Sequence, residues 1–484
     1  MRRMVLDADA AYLAVKARDA RFDGRLFVGV TSTGVYCRPV CRVRTPRREN
    51  CRFFDTRAQA EAAAFRPCMK CRPEIAPGLS HTDSSRTLAD TAARCIEHAV
   101  HGGEALTLPQ LATRLGVTDR HLRRIFAAAH GVSPHDYLTT QRLLLAKQLL
   151  TDTPQPVTQV ALASGFDSLR RFNAAFLERY RFNPTQLRRE GALPRAATAL
   201  RLAYRPPYDI EAVLGFFARR QVMGVEQVEG LAVRRTLGWT HRGERVAGWL
   251  DGRFVPERHE VHVTASASLA PVLGAVMQRV RQGLDLDADP ALIDPVMALL
   301  PVPARPGARL PCGMDGFETA VRVVLGQQVT VKAARTLVQR LVTRFGTPIA
   351  TPFPGLTHLF PDAAALAAAD PADIGTLGIV RQRVKALQAL AAAVAGGEIA
   401  LHRSAPLAAT LEALRALPGI GDWTAQVIAM RALAWPDAWP ASDIGLMNAL
   451  GTRDAKRVTE IAEPWRPWRA YAVMQLWHHL ETSA

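Results

Sequence analysis

A chain of 484 residues, 48% hydrophobic and 22% charged, carries enough apolar surface for several cores and fits three or four domains of roughly 100–200 residues each. Its formal net charge of +17 points to a polyanionic partner, and the excess is uneven: the first 200 residues hold 31 Lys and Arg against 18 Asp and Glu, the rest 30 against 26. The absence of any run of 18 apolar residues, the interruption of a signal-peptide core by Asp7 and Asp9, and seven cysteines in no dense even framework argue against a membrane span or a secreted disulfide scaffold, and a cytoplasmic protein is expected.

Residues 1–80 hold the first pattern. Three residues separate Cys37 from Cys41 and two separate Cys68 from Cys71, with a few tens of residues between the pairs. Each pair can take two corners of a tetrahedral thiolate site from one tight turn, so a small α+β domain binding Zn2+ through these four is expected. Disulfides are the competing reading, and a reducing compartment speaks against them. Cys51 belongs to neither pair and reads as a small core residue; the Ala-rich stretch 57–65 reads as a helix. The flanks, Thr31-Ser32-Thr33-Gly34-Val35-Tyr36-Cys37-Arg38-Pro39-Val40-Cys41-Arg42 and Phe65-Arg66-Pro67-Cys68-Met69-Lys70-Cys71-Arg72-Pro73, closely resemble the amino-terminal domain of the Ada family. The resemblance implies a methylphosphotriester-DNA methyltransferase whose first cysteine, Cys37, takes a methyl group irreversibly. A zinc-held thiol stays deprotonated at neutral pH, and the thiolate is the nucleophile for an alkyl carbon. Methylating it removes one negative charge beside the phosphates, so repair would tighten DNA binding. A purely structural zinc is the alternative.

Residues 81–195 read as two helix-turn-helix units. Thr107 is a fitting N-cap, Pro109 a permitted early helical residue, Gly116 a break, and Asp119 to Phe126 the start of a second helix. The pattern recurs with Val157–Ser164 as a helix, Gly165-Phe166 as the turn and Ser168–Arg179 as a basic amphipathic helix, the turn glycines lying 49 residues apart. Arg120, Arg123, Arg170, Arg171 and Asn173 are the candidates to face DNA from helices in the major groove. Gly165-Phe166-Asp167-Ser168, Phe172, Phe176 and Asn183-Pro184 resemble the AraC-family signature, which implies sequence-specific DNA binding.

After a Pro/Ala-rich linker at 191–200, strand-like runs at Val228–Arg235, Val246–Phe254 and Glu260–Ala265 suggest a small α+β lobe over 200–285, and 286–484 read as Ala- and Leu-rich helices. Leu417-Pro418-Gly419-Ile420-Gly421-Asp422-Trp423 is a helix-hairpin-helix, in which Gly419 and Gly421 let the backbone turn and present amides to a phosphate. Twenty-two residues past Gly421, Pro440-Ala441-Ser442-Asp443-Ile444 places a carboxylate before another helix; it can serve as an N-cap, as a catalytic group, or as both. With Pro206-Pro207-Tyr208-Asp209, Gly326-Gln327-Gln328-Val329 and Arg466-Pro467-Trp468-Arg469, this half resembles the 3-methyladenine DNA glycosylase II (AlkA) family.

That resemblance implies flipping of an alkylated base and its hydrolytic release, with Asp443 stabilising the sugar cation and admitting water. Trp423 and Trp468 are the candidates to stack on a cationic base, with core packing as the alternative for each. Gln328 falls at the wedge position, where the better-known pattern has an apolar residue. Trp423 occupies the position of the lyase amine and no cysteine follows Cys312, so a monofunctional enzyme without an iron-sulfur cluster is expected. The resemblance to the Ada family implies that transfer from O6-methylguanine would need a second domain with a Pro-Cys-His-Arg nucleophile; no such segment occurs, so none is expected.

Together these readings give a mainly α, multidomain protein: a zinc methyl-acceptor, a tandem helix-turn-helix reader, an α+β lobe and a helix-hairpin-helix glycosylase. The partners expected are double-stranded DNA, both alkylated and promoter, and RNA polymerase, with no membrane. Two alternatives stay open. One is an AraC-type regulator with structural zinc and a non-catalytic, DNA-gripping carboxy-terminal half. The other is a repair enzyme whose helix-turn-helix units only hold DNA.

Overall fold

The computed structural model describes residues 8–18, 26–74, 81–102, 106–152, 155–190, 199–241, 244–403 and 405–483. The linker expected at 191–200 lies outside them up to residue 198, as do Asp7 and the first domain boundary near residue 80. The chain divides into two compact units, Met1–Glu97 with Leu106–Leu138, and His98–Ala105 with Thr139–Ala484.

In the first unit, helix α1 (Ala8–Lys16) precedes a four-stranded sheet of order β3-β1-β2-β4. Strand β1 (Phe27–Val30) pairs antiparallel with β2 (Val35–Cys37) and β3 (Cys51–Phe54); β4 (Arg66–Pro67) runs parallel to β2. Alternation splits the side chains between two faces. Phe27, Tyr36, Phe54 and Phe65 pack on one, with Ala60 of helix α2 (Arg57–Ala62), which Thr56 and Gln59 close with a capping box. Val28, Cys37, Cys51 and Phe53 pack on the other, with Ala11, Ala14 and Val15 of α1. Cys51 is thus a core residue, its thiol donating to the Arg47 carbonyl at 3.2 Å.

The helical region runs α3 (His81–Gly102), α4 (Leu108–Arg114), α5 (Asp119–His130), α6 (Pro134–Asp152), α7 (Val157–Ala163), α8 (Leu169–Tyr180) and α9 (Pro184–Glu190). Thr107 caps α4 in a capping box with Gln110, and Thr118 and Ser168 cap α5 and α8. The turns at Gly116 and Gly165 share one geometry: both glycines have positive φ, and Val117 and Phe166 each donate a backbone hydrogen bond five residues back, to Ala112 and Ala161.

The carboxy-terminal half opens with a five-stranded antiparallel sheet of order β5-β9-β8-β7-β6. It comprises β5 (Ala199–Ala203), α10 (Ile210–Arg220), β6 (Glu226–Glu229), β7 (Ala232–His241), β8 (Glu244–Val255), β9 (Glu260–Ala265) and α11 (Leu273–Gly283). Two sequence expectations are corrected here. The single run Val228–Arg235 is cut by a turn at Gly230 (φ 55°) into β6 and β7. The linker ends before Ala199, because Leu200 and Leu202 are fully buried as alternate residues of an edge strand paired with β9.

Helices follow: α12 (Pro290–Met297), α13 (Gly316–Leu325), α14 (Val331–Phe345), then a short β10 (Thr347–Pro348) and β11 (His358–Leu359), α15 (Ala363–Ala368), α16 (Pro371–Gly375), α17 (Arg381–Ala395), α18 (Leu407–Ala416), α19 (Asp422–Arg431), α20 (Ile444–Ala449), α21 (Ala455–Ala462) and α22 (Arg469–Ser483). One apolar core joins lobe and helices, from Phe216 and Val225 through Val324 and Leu390 to Leu476. Buried ion pairs cross the same seam: Arg322 of α13 to Glu226 of β6 at 2.6 Å, and Arg235 of β7 to Glu318 of α13 at 2.6 Å. Among the described residues no helix is long and apolar enough to cross a membrane.

Candidate functional site

The candidate residues fall in the cysteine cluster, on the basic helices α5 and α8, and around Asp443. In the first unit, strand register does the assembling: Tyr36 lies opposite Pro67 in the parallel β2–β4 pair, so the next residues, Cys37 and Cys68, come side by side. The turn after each supplies its partner, Cys41 and Cys71. All four are buried, and their sulfurs lie within 4.8 Å of one another. Thiolates about 2.3 Å from a tetrahedral zinc stand about 3.8 Å apart, so the four fit Zn2+ with little movement. Hydrogen bonds from the Cys37 and Cys71 thiols hold Cys41 well below its ordinary range, and the bond with Cys41 holds Cys37 far above its own. Holding Cys37 as a thiolate as well takes a cation.

Beside the cluster lies a cavity of about 460 Å³ onto which Cys37, Cys41 and Cys68 open, while Cys71 does not. Val28, Val35 and Val43 give it apolar walls, and exposed Arg44, Arg66 and Lys70 surround it. Arg38, buried to 1% exposure, also lines it.

The five candidates on the basic helices are all exposed. On α5, Arg120 and Arg123 lie away from the buried Leu122, Ile125 and Phe126, and Asp119 holds the Arg123 guanidinium at 2.8 Å. On α8, Arg170, Arg171 and Asn173 lie away from the buried Phe172 and Phe176.

The third place is built around Asp443, which is 7% exposed. It caps α20, its Oδ1 accepting from the Leu446 amide at 3.0 Å. Oδ1 also accepts from Trp477 Nε1 at 2.9 Å, and Oδ2 from Trp423 Nε1 at 2.8 Å. Three donors aimed at two oxygens match an acceptor-only carboxylate. Trp423 and Trp477 form walls of a cavity of about 320 Å³ that Asp443 also lines.

Trp468 is not among the residues lining that cavity. It stands just before α22, nine residues or about 13 Å of helix from Trp477, and packs edge-to-face with Tyr471 at 5.8 Å. Trp477, rather than Trp468, shares the cavity with Trp423 and Asp443. The sequence signal was present, a second tryptophan 34 residues after Asp443 on the last helix, but only tertiary packing brings the two together.

The hairpin adjoins the pocket. Gly419, at φ 77°, makes the turn, and a Cβ there would sit 3.1 Å from that of Ala386. Gly421 starts α19 with no side-chain cap and open space around it, leaving first-turn amides for a ligand. The nearby acidic Asp422 is answered by Arg415 at 3.0 Å. Gln327 donates to the Gly419 carbonyl and to Thr424 Oγ1, both at 2.9 Å, tying the α13–α14 loop to the hairpin. On that loop Gln328 is exposed with a left-handed backbone (φ 53°), the shape of a residue pushed outward, followed by partly exposed Val329.

Comparison with known proteins finds four family models along the chain. Family models match as the metal binding domain of Ada over residues 10–74, a helix-turn-helix domain over 111–190, the AlkA N-terminal domain over 199–315, and an HhH-GPD superfamily base excision DNA repair protein over 321–463. A probable bifunctional transcriptional activator/DNA repair enzyme AlkA from Mycobacterium tuberculosis is 38% identical, over 98% of this chain and 97% of that one. The DNA-3-methyladenine glycosylase 2 of Escherichia coli is 33% identical over 57% of this chain and 96% of its own length. The bifunctional transcriptional activator/DNA repair enzyme Ada of Escherichia coli is 34% identical over 33% of this chain and 43% of its own.

Proposed function

The chain belongs to the family of bifunctional transcriptional activator/DNA repair enzymes that join Ada-type and AlkA-type domains, and from that premise we propose that it excises alkylated bases with Asp443, accepts methyl groups from DNA phosphotriesters on Cys37, and regulates transcription. The observation that carries the reading is the Asp443 carboxylate held by Trp423 and Trp477 inside a base-sized pocket.

Alkylation at N3 or N7 makes a purine cationic and a good leaving group. The C1′–N bond breaks with its electron pair going to the ring, and the carboxylate stabilises the sugar cation left behind. A carboxylate offers about four lone-pair positions. The cap and the two indoles take three, leaving one on Oδ2 to accept a proton from water as its oxygen bonds C1′. Trp423 and Trp477 orient the carboxylate and present aromatic faces to the cationic base. Gln328 would occupy the gap left in the duplex, and the hairpin amides from Gly419 to Gly421 would hold the backbone.

Cys37, Cys41, Cys68 and Cys71 would hold Zn2+, which keeps their sulfurs deprotonated. Cys37 Sγ attacks the methyl carbon; the carbon–oxygen bond breaks toward the phosphate, giving a diester and an uncharged thioether. Arg120, Arg123, Arg170, Arg171 and Asn173 would contact promoter DNA, and RNA polymerase is the partner an activator implies.

Methylated duplex should therefore yield free 3-methyladenine by chromatography and an unbroken abasic strand on a gel. Mass spectrometry should find a single methyl, on Cys37, once per molecule, with tighter promoter binding afterwards; a methyl elsewhere, or repeated turnover, contradicts the scheme. A further outcome is expected at Gly445. A Cβ there would lie 2.9 Å from Asp443 Oδ1 and 3.3 Å from the Trp477 indole. Gly445→Ala should shift the carboxylate and lower kcat for base release about 10–10²-fold, while abasic-site binding holds; an unchanged kcat would show that the carboxylate's position is not critical.

A further inference from the structure

Helix α19 carries Trp423, Val427 and Arg431 at i, i+4 and i+8, and all three line the Asp443 cavity. Two helical turns set Arg431 about 12 Å along the helix from Trp423, farther than the long axis of a purine. Arg220 and Arg322 line the same cavity and lie near Arg431. Their charges are answered: Arg322 pairs with Glu226 at 2.6 Å and Glu318 at 2.5 Å, Arg220 with Glu481 at 2.9 Å, and neighbouring Arg235 with Glu318 at 2.6 Å. Three carboxylates thus serve four guanidiniums, since Glu481 also pairs with Arg219 at 2.5 Å. Arg431 has no ion-pair partner among the described residues; its Nε reaches the Pro311 carbonyl at only 3.5 Å, and its guanidinium lies 4.8 Å from the Phe216 ring that Arg220 also covers. Burial, then Arg220 and Arg322, push its pKa down to about 10, so it is still a cation at neutral pH.

Arg431 therefore brings to the cavity wall a positive charge without an ion-pair partner, where the exposed Arg335 also stands. A methylated purine, itself cationic, gains nothing from it. A purine whose N-substituent ends in a carboxylate would bring the missing anion to Arg431. Resting on the glycosylase reading above, we infer that the pocket takes N-carboxymethylated purines as well as methylated ones, with Arg431 binding the substituent's carboxylate. The reaction balances as before: the C1′–N bond breaks with its pair going to the cationic ring, and water supplies the oxygen on C1′ and a proton to Asp443. The released base keeps its carboxylate.

The test uses the full-length protein and two duplex substrates, one alkylated with diazoacetate to carry carboxymethyl groups and one with dimethyl sulfate. Released 3- and 7-substituted purines are quantified by mass spectrometry. Wild type should release both classes. Arg431→Met should lower the ratio of kcat/KM for carboxymethylated over methylated purine about 30-fold or more, the loss of one charge-assisted hydrogen bond, and Arg431→Lys should recover most of it. An equal loss of both activities in Arg431→Met, or release of methylated bases alone by wild type, overturns the inference and leaves the glycosylase reading standing; release of neither overturns both. A measurement on wild type alone reads the same contact: free 3-carboxymethyladenine should inhibit release of 3-methyladenine more tightly than its neutral methyl ester, and the opposite order overturns the inference.

Discussion

Asp443→Asn should lower release of 3-methyladenine by about 10²-fold or more, because stabilisation of the sugar cation and activation of water both rest on that one negative charge. The geometry sharpens the expectation. Oδ1 accepts two hydrogen bonds and Oδ2 one, so the amide oxygen should take the Oδ1 place and the NH2 should face Trp423 Nε1–H. The α20 cap and the Trp477 bond then survive, while the Trp423 indole loses its acceptor, a change readable in tryptophan fluorescence. Binding to an abasic-site analogue should change far less, since the hairpin amides do not depend on the carboxylate. The product strand of the wild type should stay unbroken, because Trp423 has no amine with which to form a Schiff base. Near wild-type release from the Asn variant would remove Asp443 from the chemistry, and strand nicking without added base would show a lyase.

The second large effect is expected at the zinc cluster. The amino-terminal sheet is made of strands of four, three, four and two residues, too little pairing to hold a domain of this size by itself. Structural zinc contributes on the order of 10 kcal/mol to small folds of this kind. Cys68 sits where β4 ends against β2, so Cys68→Ser should lose both a ligand and the tie between the two ligand pairs. Metal analysis should fall from one zinc per chain to none, and amide exchange over residues 26–71 should become fast. Full zinc retention would sink the four-cysteine assignment.

Features encoded by neighbours in the chain were legible in the sequence. The cysteine pairs, the Thr107, Thr118 and Ser168 caps and the glycine turns each need only a handful of adjacent residues. Asp443 was legible as well, because its distance from the hairpin is fixed by one intervening helix. What long-range packing decides was not legible. Trp468 draws the eye beside Arg466 and Pro467, yet Trp477, inside an unremarkable helix, reaches the carboxylate from 34 residues away. The unanswered charge on Arg431 emerges only once Glu226 is seen to serve Arg322, 96 residues on. Strand β5 was hidden by its composition, since alanines at its ends blend with the linker although Leu200 and Leu202 alternate as a buried strand requires. Strands β6 and β7 merged in the reading because a single Gly230 was the only break between them.

The ion pairs across the lobe seam bear on how such a protein can be assembled from genes. A fragment beginning at α12 would bring Glu318 and Arg322 into a new host without Arg235 and Glu226, stranding charges inside its core at a cost of several kcal/mol. It would also leave the apolar face that meets Phe216 and Val225 open to water. A transferable fragment would therefore have to carry α10, β6 and β7 together with the helices that follow.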